Sequence, residues 1–192
     1  ELLADLAVNE SQCVLEPSVG SGTILVSVYK SLRKKLNLTH NETLKMLFAL
    51  DIMPFAAHLA AVNLTLQDLK AKTQRVNVGI GNSLNIRPSA KVPTQVSLFD
   101  RHLTKRADAQ KSIDEQLKLP SEVGLVIMNP PFTDREKLPK DYKNKLKANS
   151  KVEKLEKFCG AEINYWGYFL ALADKFLFES GKIGAVIPIS IF

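Results

Sequence analysis

Short apolar runs alternate along this chain with longer stretches whose apolar positions recur every three or four residues. The runs are Cys13–Leu15, the LFAL that leads into Asp51, RVNVGI at 75–80, VGLVIM at 123–128 and IGAVI at 183–187. Such compact runs predict strands buried on both faces. Between them, Leu2–Val8 reads as a first helix. A second helix opens after Gly22, with a stripe of Ile24, Leu25, Val28, Leu32 and Leu36. Thr39 and Glu42 have the spacing of a capping box at the start of a short helix. Pro54 suits the first turn of a further helix running to about Leu69. Ile163, Trp166, Phe169, Leu170, Ala173, Phe176 and Leu177 line one face of a helix predicted over Glu162–Glu179, with Gly181 as its C-terminal cap. Residues 83–121 are less regular; VSLF at 96–99 reads as a short strand and DAQKSIDEQLKL at 108–119 as a helix. Strands alternating with helices predict an α/β fold with a mostly parallel, twisted sheet covered by helices on both faces. The chain starts inside a helical pattern and stops on an apolar strand. The expectation is therefore a fragment of something longer, truncated after the fifth strand.

That architecture changes the weight of four local motifs. In open parallel sheets, ligands bind beyond the carboxyl ends of the strands, where strand order reverses. The four predicted strand ends carry EPSVGSG (Glu16–Gly22), Asp51, GNS (81–83) and NPPF (Asn129–Phe132). Gly20 and Gly22 permit positive φ and let a backbone approach a ligand. The helix behind them aims unpaired N–H groups at it. The spacing departs from a dinucleotide fingerprint: Leu25 stands where a third glycine belongs, and Asp51 lies roughly 30 residues past the glycines instead of about 20. No Gly-Lys-Ser/Thr occurs, which excludes a P-loop. Asp51 can accept two hydroxyls of a ribose; its structural alternative is a helix cap near Pro54.

Asn129-Pro130-Pro131-Phe132 breaks a buried strand with two rigid residues. Asn129 offers a side-chain carbonyl and Pro130 a backbone carbonyl of fixed direction. Two acceptors so held grip an –NH2 group as positive charge develops on it, and Phe132 offers a face to the ring that carries it. An Asx turn is the structural alternative.

Composition adds one fact. The net charge is +6 with a sequence pI near 9.3, and most of the excess is local. Residues 133–157 hold nine Lys/Arg against five Asp/Glu, a net +4. The segment reads either as a solvated loop or helix, or as a loop over a polyanion, meeting phosphates by charge. No apolar run approaches the roughly 20 residues of a membrane span. Cys13 and Cys159 match no metal spacing and read as reduced thiols in a cytoplasmic protein. His40, His58 and His102 fall outside the motifs and read as structural or surface residues. No metal is expected.

With LEPSVGSGTIL, ALDIMPFAAHLAAVNL, GNSL, VIMNPPF and EINYWGYFLALADKFLFESGKIGAVIP in this order, the chain resembles S-adenosyl-L-methionine-dependent adenine-specific DNA methyltransferases. The resemblance is to modification subunits of type I restriction systems and related restriction–modification enzymes, and it spans nearly the whole chain. It implies a Rossmann-like methyltransferase catalytic domain over 1–192, with 133–157 as a basic insertion and no target-recognition domain. It implies that Glu16, Pro17, Gly20, Ser21 and Gly22 hold the methionine part of S-adenosyl-L-methionine and Asp51 its ribose. Ile52 would lie against its adenine, beside Asn82 and Ser83. Asn82 stands where such enzymes more often carry Asp, so its contact loses charge assistance. Asn129, Pro130, Pro131 and Phe132 would hold an adenine flipped out of double-stranded DNA, with a specificity or restriction subunit as partner. Asn-Pro-Pro-aromatic also occurs in amino-methyltransferases of protein glutamine and RNA guanine, and a catalytically idle nucleic-acid-binding module is a further alternative.

Overall fold

The computed structural model describes residues 1–8, 12–94, 116–133, 137–152 and 164–187. Five strands form one parallel sheet in the order β3-β2-β1-β6-β7: β1 Val14–Glu16, β2 Leu47–Asp51, β3 Asn77–Ile80, β6 Val123–Met128 and β7 Leu177–Ala185. The helices are α1 Leu2–Ala7, α2 Thr23–Leu36, α3 His40–Met46, α4 Pro54–Thr65, α5 Lys140–Val152 and α6 Tyr165–Phe176. Strands β4 (Lys91–Pro93) and β5 (Gln116–Lys118) form a separate antiparallel pair.

The sheet separates two apolar cores. Val14, Leu47, Ala49, Val78, Leu125 and Ile127 face α1, α2 and α4. Leu15, Leu50, Val126 and Met128 face α6 and the β4–β5 pair, meeting Phe169, Leu172, Phe176, Val92 and Leu117. Every residue of β6 is buried, which is why its sequence is continuously apolar rather than alternating. Gly79 in β3 is dictated by the β4–β5 pair. A Cβ there would lie 2.5 Å from Val92 Cγ2 and 2.9 Å from Leu50 Cδ2.

Three expectations change. Residues 116–118 of the segment predicted as helix pair as strand β5; the rest of that segment, and 96–99, lie outside the described residues. The helix predicted to Glu179 ends at Phe176, and Gly181 lies within β7 rather than capping it. Leu177 pairs with Val123 of the buried β6, which outweighs its place in the helical stripe; the register then shifts between Val123 and Leu125, and pairing resumes at Lys182. Of the readings open for the basic stretch, loop or helix, the structure shows helix over Lys140–Val152, which the loop over a polyanion did not anticipate.

The capping box at α3 forms as read from Thr39 and Glu42. Beside it, at the end of the sheet away from the four motifs, lies a partly buried polar network. Arg33 donates to Tyr29 Oη at 3.0 Å and pairs with Asp68 at 3.1 Å. Tyr29 Oη lies 2.7 Å from His40 Nδ1, and His40 Nε2 lies 2.9 Å from Thr73 Oγ1. Since Arg33 can only donate, the Tyr29 hydroxyl gives its proton to Nδ1, which leaves the imidazole proton on Nε2. Burial pushes the His40 imidazole below its ordinary range; Asp68 opposes this and Arg33 reinforces it. A depressed folded-state pKa means that the unfolded chain binds more protons. Stability from His40 is complete above about pH 6.5 and is lost as pH falls below it. Thermal midpoints are expected to decline below that pH, and the His40→Gln variant to lose that part of the slope. Parallel pH profiles for the two proteins would overturn the assignment. His58 is exposed, and His102 lies outside the described residues.

Candidate functional site

Strand order reverses between β1 and β6, so the loops after these two strands diverge at the carboxyl edge and leave a crevice. Hydrogen bonds stitch the four loops on this edge together. Val19 N donates to Leu50 O at 2.9 Å and Gly81 N to Asp51 O at 2.9 Å. Gly20 N donates to Asp51 Oδ2 at 2.8 Å. The buried Ser83 hydroxyl donates to Pro17 O at 2.5 Å. Ser18 Oγ donates to the backbone carbonyl of Asn129 at 3.2 Å, joining the glycine loop to NPPF across the crevice.

Glu16 ends β1 and is 1% exposed. Burial drives its carboxyl well above the ordinary carboxylate range. A backbone hydrogen bond from Leu25, in the first turn of α2, opposes this, and the charge of Asp51 adds to it. Its Oε2 is buried and has no hydrogen-bond partner among the described residues. A buried acceptor left unpaired costs free energy that a ligand donor would recover.

The two loop glycines serve different ends. Gly20 (φ +52°) has open space where a side chain would be, as expected of a backbone open to a ligand. Gly22 (φ +82°) has α4 against it: a Cβ would lie 3.0 Å from Ala60 Cα. Its bare Cα therefore serves helix packing as well as the turn. Helix α4 buttresses the loop again through Asn63 Nδ2, which donates to Ser21 O at 2.8 Å.

Asp51 bridges two loops. Besides Gly20 N on one oxygen, its Oδ1 accepts from Met53 N at 2.8 Å. It does not cap α4, whose N-cap is Met53 with no side-chain cap. Each oxygen keeps a lone pair after these bonds. Ile52, 60% exposed, forms an apolar wall beside it. Asn82 caps the short 3-10 turn Ser83–Asn85: its Oδ1 accepts from Leu84 N at 3.1 Å, which fixes the amide orientation. Its Nδ2 donates to Tyr142 Oη at 3.1 Å.

Beyond β6, Pro130 is buried while Asn129 is exposed and Phe132 is 45% exposed. The Asn129 side-chain amide makes no hydrogen bond among the described residues. The edge thus presents an unengaged amide and an aromatic face beside a loop with an orphaned buried carboxyl oxygen. Sequence reasoning overlooked Ser18, Asn63 and Tyr142. Asn63 was the findable one, a lone amide in the apolar run AAVNL.

A family model described as N-6 DNA Methylase matches residues 1–192. No curated protein matches. Among solved structures, the chain is similar to a protein described as a class I S-adenosylmethionine-dependent methyltransferase from Listeria monocytogenes. Identity is 16% and the TM-score 0.55, over 99% of this chain and 43% of that one. It is similar to a nuclease-deletion mutant of the Type ISP restriction–modification enzyme LlaGI, solved with a DNA substrate mimic. Identity is 16% and the TM-score 0.56, over 90% of this chain and 15% of that one. It is also similar to the Type I restriction enzyme EcoKI M protein, at 16% identity and TM-score 0.52, over 98% of this chain and 32% of that one. These likenesses carry the fold, that of S-adenosylmethionine-dependent methyltransferases. The chain spans less than half the length of each. No helix among the described residues is long and apolar enough to cross a membrane.

Proposed function

Because the chain belongs to the N-6 DNA methylase family, we propose that it is the catalytic part of an enzyme that methylates the exocyclic amine of adenine in DNA. The methyl donor is S-adenosyl-L-methionine. The observation that carries the reading is the unengaged Asn129 amide beside Phe132, tied by Ser18 to the glycine loop across the switch point.

The residues present suit this cofactor. Glu16 Oε2, buried and unpaired, suits the cationic amino-acid end, with Pro17, Gly20, Ser21 and Gly22 around it. Asp51 retains acceptor capacity for ribose hydroxyls, and exposed Ile52 gives a flat apolar contact for the purine next to Asn82 and Ser83. When bound, the cofactor supplies an electrophilic methyl group. The protein's part is orientation and electrostatics. The Asn129 side-chain carbonyl and the Pro130 backbone carbonyl accept the two protons of the amine and stabilise the positive charge that grows on it. Pro131 holds the turn rigid, and Phe132 stacks on a base that has left the duplex. The basic residues of 133–157 contact backbone phosphates. A specificity or restriction subunit supplies the choice of sequence.

A labelled-methyl assay of the full-length protein against DNA, RNA and protein tests this. Label is expected on adenine in DNA. Transfer to RNA or protein but not to DNA would sink the DNA reading, and absence of cofactor binding by calorimetry would point to an idle module.

A further inference from the structure

Helix α5 packs through a small third cluster that shares Leu84 and Tyr165 with the second core. Leu146, Tyr168 and Ala171 form it, with Leu84, Leu138, Tyr142 and Tyr165 packed around. Within it runs a polar chain. Asn82 Nδ2 donates to Tyr142 Oη at 3.1 Å, and Tyr142 Oη lies 2.7 Å from Tyr165 Oη. Asn82 donates to the Tyr142 oxygen, and in the Tyr142–Tyr165 bond either hydroxyl can be the donor. The rings of Tyr142 and Tyr165 meet edge to face with centroids 6.0 Å apart, and Tyr165 meets Phe169 of the sheet-facing core in the same way at 5.6 Å. One hydroxyl therefore links three elements: the loop after β3, the lysine-rich helix and the start of α6. Lys140 and Lys145 of that helix are exposed.

We propose that Tyr142 is a positioning residue that latches α5 to the Asn82 loop, so that cofactor binding and engagement of DNA phosphates by the α5 lysines reinforce each other. This rests on the reading of the Asn82 loop as part of the cofactor site. The physical argument is linkage. A cofactor that orders the Asn82 loop favours the docked position of α5, because Asn82 is one end of the latch. Docked α5 holds the exposed Lys140 and Lys145 on a helix tied to the Asn82 loop, so DNA that binds them favours the ordered loop in return. Such coupling is reciprocal by necessity, and the cluster is small enough for its two phenol bonds to weigh in the balance.

The test uses the full-length protein, a labelled double-stranded oligonucleotide of mixed sequence and S-adenosyl-L-methionine. DNA affinity is measured with and without cofactor, and cofactor affinity with and without DNA. In the wild type each ligand is expected to tighten the other by about tenfold. Tyr142→Phe keeps the ring and removes both bonds; its coupling is expected to fall to about twofold or less. Tyr165→Phe keeps the Asn82 bond and is expected to fall between the two. Hydrogen exchange over 140–152 is expected to quicken in Tyr142→Phe even without ligands. An unchanged coupling factor in Tyr142→Phe, or no coupling in a wild type that binds both ligands, overturns the latch. A wild type that binds no cofactor overturns the proposed function instead.

Discussion

Asn129→Ala is expected to lower methyl transfer by at least about a hundred- to a thousandfold, with the loss in kcat. The substitution removes a charge-stabilising acceptor that acts on the amine only as the methyl group arrives. Its effect is therefore expected mostly in kcat rather than in cofactor affinity. The fold is expected to tolerate it. Asn129 is exposed, its side chain makes no hydrogen bond among the described residues, and the bond from Ser18 goes to its backbone carbonyl, which alanine retains. A thermal midpoint within about a degree of the wild type, as for other surface substitutions, checks that point. Activity above a tenth of wild type would remove Asn129 from the chemistry. A loss of activity matched by a fall in midpoint would mean that the NPPF turn is chiefly structural.

The distinction matters because sequence and structure contributed unequally. Four sheet strands were legible because each is largely apolar and is followed or ended by a residue that breaks the apolar run: Glu16, Asp51, Gly81 and Asn129 were visible as interruptions, while the fifth strand was legible only over its last residues, Ile183–Ala185. The β4–β5 pair was not. Lys91–Pro93 and Gln116–Lys118 each bury a single central residue, Val92 and Leu117, between exposed neighbours. Three residues give too few positions for a period of two to show. The end of α6 was misread for a different reason. Leu177 continues the helical stripe, and only the neighbouring β6 decides that it turns extended.

In the site, the residue types were legible but their partners were not. Gly22 announced a turn, yet only the fold shows that Ala60 stands where its side chain would be. Asn82 looked like a weaker form of Asp. Its nitrogen in fact donates to Tyr142, sixty residues away, and a link between segments so far apart leaves no trace in local spacing.

Glu16→Gln is expected to move stability and cofactor affinity in opposite directions. The Glu16 carboxyl has its folded-state pKa raised, first by burial, against a backbone hydrogen bond from Leu25, and further by Asp51. The folded protein then binds a proton more readily than the unfolded chain. Stability from this group is present in full below the ordinary value of 4.5 and is lost as pH rises toward the raised one. Near neutral pH the ligand-free wild type carries that loss, together with an unpaired Oε2. Gln is similar in shape and uncharged at every pH. Its ligand-free midpoint is expected to exceed that of the wild type at pH 8, and the gap to close toward pH 4.5. Cofactor affinity is expected to fall by about ten- to a hundredfold, because an ionised acceptor for a cationic donor is gone. The cofactor-induced rise in midpoint shrinks accordingly. A variant that binds cofactor as tightly as the wild type would show that the orphaned oxygen faces no ligand cation. A variant less stable at pH 8 would show that the carboxyl's bond to α2 outweighs the cost of burying it.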